Sequence, residues 1–144
     1  MSAAVPVTPA ELELEPVVRI DAHESLSTAA RIIVETGVET LLIDGPEPAE
    51  ITTHDLVAAL ARRLPADVPV GDIATDKPLF VGRDTPVERI LEAMVRFRRR
   101  DVIVVDRNGV ILGLLALPMV VAVLVDGPSW LGALRIALQI EDPS

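Results

Sequence analysis

The sequence predicts a mixed α+β fold made of two copies of one strand-helix-strand-strand-helix unit. Three observations carry that prediction. A helical stripe at i, i+3, i+4 and i+7 over Leu26, Ala29, Ala30, Ile33 and Gly37 returns 61 residues later over Val87, Ile90, Leu91 and Met94. Short apolar runs ending in Asp, "LLID" at 41–44 and "IVVD" at 103–106, follow each stripe at an offset of 62. A second helical stripe, Leu56, Ala59, Leu60 and Leu64, is matched by Val120, Val123 and Leu124 at an offset of 64.

Taken in order, residues 1–16 read as a flexible lead-in and "VVRI" at 17–20 as a first strand. The helix over the first stripe follows, then the Asp-terminated strand. "GPEP" turns the chain back into "AEIT", and the last helix completes a first repeat over 17–64. "LPADVPVGDIATDKP" carries three prolines and reads as a connector over 65–78. The second repeat, 79–125, opens on "LFV"; "RNG" makes its hairpin, which this offset makes two residues longer than the first. Thr85-Pro86-Val87-Glu88 has the spacing of a capping box, with Pro at the first helical position. Arg96, Arg98, Arg99 and Arg100 crowd the other end of that helix, where the macrodipole favours cations. Beyond the repeat, residues 126–144 read as an extra C-terminal helix around Trp130, Leu131, Leu134, Ile136 and Leu138, with a short tail.

Composition narrows the function classes. Half of the 144 residues are hydrophobic but only 2% are aromatic, so the core is aliphatic and offers no platform for stacking bases. Thirteen basic against twenty-two acidic residues give a net charge of −9, which opposes nucleic acid and anionic membrane surfaces as partners. The absence of cysteine excludes disulfides and thiolate metal sites and fits a reducing, cytoplasmic setting. The N-terminus has no basic and apolar signal pattern. The longest uncharged apolar run, Val110 to Val125, is sixteen residues and is broken by Pro118, short of the roughly 20 that span a bilayer.

No catalytic constellation emerges. His23 and His54 stand 31 residues apart with no cysteine, which opposes a metal site. Ser129 lacks the spacing of a nucleophile elbow. Neither a phosphate-cradling Gly-x4-Gly-Lys loop nor a Gly-x-Gly-x-x-Gly turn is present. The chemistry worth following lies in "EITTHDLVAAL", residues 50–60, where Thr52 and Asp55 stand three apart at a strand-to-helix junction. That spacing serves two ends. A helix N-terminus offers free N–H groups and a positive dipole to a ligand, and Thr-x-x-Asp is also a plain capping box.

The ordered set of a helix, an Asp-terminated strand, a hairpin and a last helix, carried by "GVETLLIDGPEPAEITTHDLVAAL", where Thr-x-x-Asp opens that helix, and by "RRDVIVVDRNGVILGLLALPMVVAVL", resembles a tandem pair of CBS domains, the modules named after cystathionine β-synthase. The resemblance covers about residues 17–125 and implies two repeats packed about a pseudo-twofold axis with clefts between them. In that family the clefts commonly hold AMP, ADP, ATP or S-adenosylmethionine, so the implied function is non-enzymatic sensing of an adenosine-type ligand, AMP or another adenosine derivative, with no required cofactor. Carried over, Asp55 takes the ribose hydroxyls and Thr52 the phosphate or ribose. Val18, Ile20 and Leu41 flank the adenine, His54 lies beside the ligand, and Arg98 and Arg100 are candidate phosphate contacts. The second repeat departs from the pattern, with Ala116 and Met119 in place of the Thr and Asp. The first departs at Ala49, where the family has glycine, and at Glu50, where it has an apolar residue. Glu39 and Glu50 disfavour a polyphosphate. "MVVAVLV" at 119–125 is apolar all round and is expected to be buried on all sides, as in the homodimers that the family forms through such helices. The implied partners are a second copy and an unidentified effector protein. The alternative reading is a ligand-free dimerisation and interaction module.

Overall fold

The computed structural model describes residues 7–74 and 76–125, so the expected C-terminal helix over 126–144 lies outside the described residues. Two compact units form, one from residues 17–78 and the other from 1–16 together with 79–144.

In the first unit, strand β1 (Val18–Ile20) is followed by helix α1 (Leu26–Thr36), strands β2 (Thr40–Ile43) and β3 (Ala49–Thr52), and helix α2 (Thr53–Ala61). The second contains β4 (Phe80–Gly82), α3 (Val87–Phe97), β5 (Asp101–Val105) and β6 (Ile111–Ala116), then a helix, α4, over 117–125. Each sheet has three strands, in the orders β1-β2-β3 and β4-β5-β6, the first pair parallel and the second antiparallel. The class is the mixed α+β one that the repeat predicts.

Each unit has its own aliphatic core between sheet and helices. Ile20, Leu26, Ala29, Leu41, Ile43, Ile51, Leu56 and Ala59 are buried together in the first. Val87, Ile90, Met94, Val102, Val104, Leu115, Val120 and Val123 form the second. Side chains alternate across a strand, so these residues mark one face of each sheet, and Leu42 and Ile103 belong to the other.

That alternation corrects the repeat offset. Val18 pairs with Leu41, and Phe80 with Ile103 in the same parallel sense, which sets Leu79 against Val102. Leu41 and Val102 both face their cores, so the true offset there is 61, not 62. From β3 onward it is 64, because Thr40 faces Thr52 while Asp101 faces Ala116. The second hairpin is therefore three residues longer, with an irregularity between Val104 and Val105. Pairing Asp44 with Asp106 shifts the strand by one position, which would turn every side chain to the wrong face.

The lead-in is also different from the expectation. From residue 7 onward it is built into the second unit: Leu12 is buried in that core, and Glu15 and Leu114 exchange two backbone hydrogen bonds of 2.9 and 2.7 Å. The connector does the same for the first unit. Val70 is buried in its core, and the Glu50 N–H donates to the Asp76 carbonyl at 3.0 Å. The two segments are themselves copies at an offset of 61. Val7 and Val68 accept from Val87 and Leu26, and Ala10 and Gly71 donate to Arg83 and Ala22. Short 3-10 turns at Pro9–Glu11 and Val70–Asp72 correspond as well. Each repeat thus begins about ten residues before its first strand, and each lead-in is hydrogen-bonded into the body of the other repeat.

Those bonds also change the helix start read at Thr85. Helix α3 begins at Val87 with Pro86 as N-cap, whose ring has no acceptor for a side-chain cap, and the Val87 N–H donates to the Val7 carbonyl at 2.9 Å. At its other end Arg98 adopts a left-handed conformation, φ 55°, where the equivalent Gly37 closes α1 at φ 76°. An arginine is strained there by about 1 kcal/mol relative to glycine. Helix α4 buries Val120 and Val123 against the sheet but leaves Val121 and Val125 exposed, so the chain itself covers one face of this all-apolar helix, not all of it.

Gly113 in β6 is required by close approach. A Cβ there would meet the Leu14 Cβ at 2.6 Å and the Glu15 carbonyl oxygen at 2.9 Å, where the lead-in crosses the strand. Gly113→Ala is expected to lower the stability of the chain by about 1–3 kcal/mol, read by denaturant unfolding.

Candidate functional site

The site begins with the register of β3. Thr52 ends the strand opposite Thr40, and the chain turns at once into α2, which makes Thr52 the N-cap and Asp55 the third residue of the helix. The Asp55 N–H donates to Thr52 Oγ1 at 3.2 Å, and the Thr52 N–H donates back to Asp55 Oδ2 at 2.8 Å. The Thr52 hydroxyl lies 3.1 Å from the same Oδ2. A reciprocal capping box is therefore formed, and both residues are half-buried. Asp55 Oδ1 has no hydrogen bond among the described residues, and so still offers an acceptor. The Thr53 N–H is held by the Glu39 carbonyl at 3.0 Å, which ties the entry to β2 to the first turn of α2.

The equivalent junction of the second unit keeps this backbone frame and loses its chemistry. The Leu117 N–H donates to the Arg100 carbonyl at 2.8 Å, as Thr53 does to Glu39. Ala116 replaces Thr52, and Met119 replaces Asp55 and packs against the aliphatic core. Pro118 stands where the first repeat has His54 and removes an N–H from the helix start. No hydroxyl, carboxylate or second free donor remains.

The other residues singled out by sequence fall in different places. His54 is exposed on the first turn of α2, beside Thr52 and Asp55. Ile20 and Leu41 are fully buried in the helix-side core, with Val18 packed against it. Their side chains are committed to that core, so only their backbone is left to flank a ligand. Arg98 and Arg100 are exposed in the second unit. Arg19, Leu42 and Glu50 share the face of the first sheet opposite its helices, where Leu42 and Glu50 are buried, and sequence reasoning passed over the first two. Their signal was the alternation within "VVRI" and "TLLI", read from the correct register. Glu50 is the one charged residue buried among those described.

Among the described residues no group of three potential metal ligands occurs, and no helix is long and apolar enough to cross a membrane. A shallow cavity of about 340 Å³ in the second unit is lined by Arg83, Asp84, Asp106, Arg107 and Asn108. Its two cations and two anions balance, and it sits at the end of the sheet away from Ala116.

Comparison with known proteins bears on this geometry. A family model of the CBS domain matches residues 70–126. Among solved structures, the CBS domain protein PAE2072 from Pyrobaculum aerophilum, complexed with AMP, is 29% identical with a TM-score of 0.69, covering 78% of this chain and 88% of that one. Residues 70–126 carry a CBS domain, and the chain as a whole has the fold of the CBS-domain pairs it resembles. The CBS-domain pair of protein MJ0100, in complex with 5′-methylthioadenosine and S-adenosyl-L-methionine, is 20% identical with a TM-score of 0.70 and covers 85% of this chain and 98% of that one. A hexameric CBS-CP12 protein from bloom-forming cyanobacteria has a TM-score of 0.75 at 18% identity, covering 87% and 73%. The search of curated proteins found no match.

In this chain the Thr52–Asp55 box stabilises α2 whatever else it does. Thr52→Ala is expected to cost about 0.5–2 kcal/mol, and Thr52→Ser to restore most of it, measured by thermal or urea unfolding without added ligand.

Proposed function

We propose that this chain is a non-enzymatic regulatory CBS-pair protein that senses an adenosine-type ligand at the junction of β3 and α2. The observation that carries the reading is the contrast between the two junctions. Both open a helix, but one keeps a hydroxyl and a carboxylate with an open oxygen there, while the other has replaced both on the same backbone. Asp55 Oδ1 suits the ribose hydroxyls, and Thr52 suits the 5′ side of the nucleoside. Ligands reported for similar structures, AMP in one and 5′-methylthioadenosine with S-adenosyl-L-methionine in another, support the ligand class. The setting we propose is the cytoplasm.

The output is contact with other proteins. Outward positions of the helices are apolar in both units and correspond one to one: Val34 (82% exposed) with Val95 (69%), and Val57 (57%) with Val121 (43%). Exposed valines repeated on equivalent helix faces favour self-association, and the proposed state is a homodimer that presents an effector partner with a ligand-dependent surface. A ligand shifts such an equilibrium only by its differential affinity for the two states.

A second reading, a ligand-free dimerisation and docking module, is favoured by one observation: Asp55 Oδ2 is already engaged by Thr52. Thermal melting with AMP, ATP, adenosine, 5′-methylthioadenosine and S-adenosylmethionine separates the two. On the sensing reading at least one compound, at 100 times its dissociation constant, stabilises the chain by about 2.7 kcal/mol. Asp55→Asn, which keeps a capping side chain, abolishes that rise. No shift with any compound selects the interaction module.

A further inference from the structure

The first helices of the two units carry opposite charges at equivalent outward positions. α1 corresponds to α3 at the offset of 61, and each holds one valine well out in solvent, Val34 at 82% exposure and Val95 at 69%. Around these valines, wherever both repeats carry a charge, its sign is reversed. Glu35 corresponds to Arg96, Glu39 to Arg100 and, one turn earlier, Arg31 to Glu92, and all six side chains are exposed. Arg98 adds a further cation in the left-handed position that Gly37 fills in the first repeat, despite the backbone strain.

Among the described residues Glu35, Glu39, Arg98 and Arg100 make no ion pair or side-chain hydrogen bond, and Arg96 stacks over the exposed Phe97 ring at 5.5 Å. Their charge is therefore directed at whatever approaches the valines. Where equivalent surfaces meet about a twofold axis, residues close to the axis approach their own equivalents. Setting α1 against the α1 of a second copy brings Glu35 and Glu39 onto themselves, and setting α3 against α3 gathers the arginines; both arrangements repel. Setting α1 against the second copy's α3 puts Val34 on Val95 and every one of these charges beside its opposite. Exposed ion pairs add little affinity each, but unlike charges steer encounter and like charges facing one another are penalised. They decide between arrangements that the valines alone leave equal.

We infer that the self-association surface is directional: α1 of one copy docks on α3 of a second, Val34 against Val95, with Glu35 and Glu39 facing Arg96 and Arg100. This rests on the homodimer proposed above and specifies its arrangement; a closed dimer makes the contact twice. The chain has no cysteine, so introduced cysteines report the contact without background. The test is mild oxidation of full-length Val34→Cys and Val95→Cys, each alone and mixed in equal amounts, with sedimentation velocity of the wild type at the same concentration. The mixture is expected to form a disulfide-linked dimer that neither variant forms alone. Adding Glu35→Arg and Glu39→Arg to both chains is expected to lower the cross-linked yield at low salt by at least about fivefold, and adding Arg96→Glu and Arg100→Glu as well to restore it. Circular dichroism checks that each variant is folded; if a charge variant is not, the cysteine pair decides. Cross-linking of either variant to itself, a mixture that yields no more than the single variants, or a yield indifferent to charge reversal in folded chains overturns the directional contact and leaves the homodimer in place. Sedimentation of the wild type as a monomer removes the homodimer and this inference with it.

Discussion

Strand register is the constraint on which the rest of the structure depends. In each unit a parallel pair and an antiparallel pair fix which residues stand opposite one another, and the period of two then sends alternate side chains to the helices or to the opposite face. Leu41, Ile51 and Ile20 go into the first core for that reason, and Arg19, Leu42, Glu50 and Thr52 go to the other face. The same register ends β3 at Thr52, so that the next residue is already helical and the side chain of Thr52 is placed to cap it. A shift of one residue would bury the polar set and expose the aliphatic one.

Much of this was legible in the sequence. The helical stripes, the paired hairpins and the loss of Thr and Asp in the second half needed only periodicity and spacing, and the CBS resemblance followed from their order. What escaped was long-range or depended on single-residue precision. The pairing of Glu15 with Leu114, and of Glu50 with Asp76, joins segments far apart in the chain, and a lead-in rich in Glu and Pro has no local pattern that announces it. Offset errors entered at the hairpins, where two aspartates invited alignment although the strands before them were in a different phase. The resemblance implies backbone and apolar groups around Val18, Ile20 and Leu41 beside a ligand, and the alternation of core faces leaves the backbone of Ile20 and Leu41 for that role.

The two halves show how a duplicated fold divides its work. Backbone contacts are kept in both: the lead-in bonds, the 3-10 turns and the clasp between the start of the second strand and the start of the last helix all recur. The hydroxyl and carboxylate at the last helix start are kept in one. In the second repeat Met119 and Leu114 add apolar surface where the first has Asp55 and Glu50, and Pro118 removes a donor from the helix N-terminus. An apolar junction avoids the cost of desolvating polar groups.

The unequal junctions are best tested by amide chemical shifts of the full chain, recorded by heteronuclear NMR with and without 5′-methylthioadenosine. The account predicts that the amides of Glu50, Thr52, His54 and Asp55 move on titration while those of Ala116, Leu117 and Met119 stay in place. Shifts centred on the second junction, with the first unmoved, would contradict it.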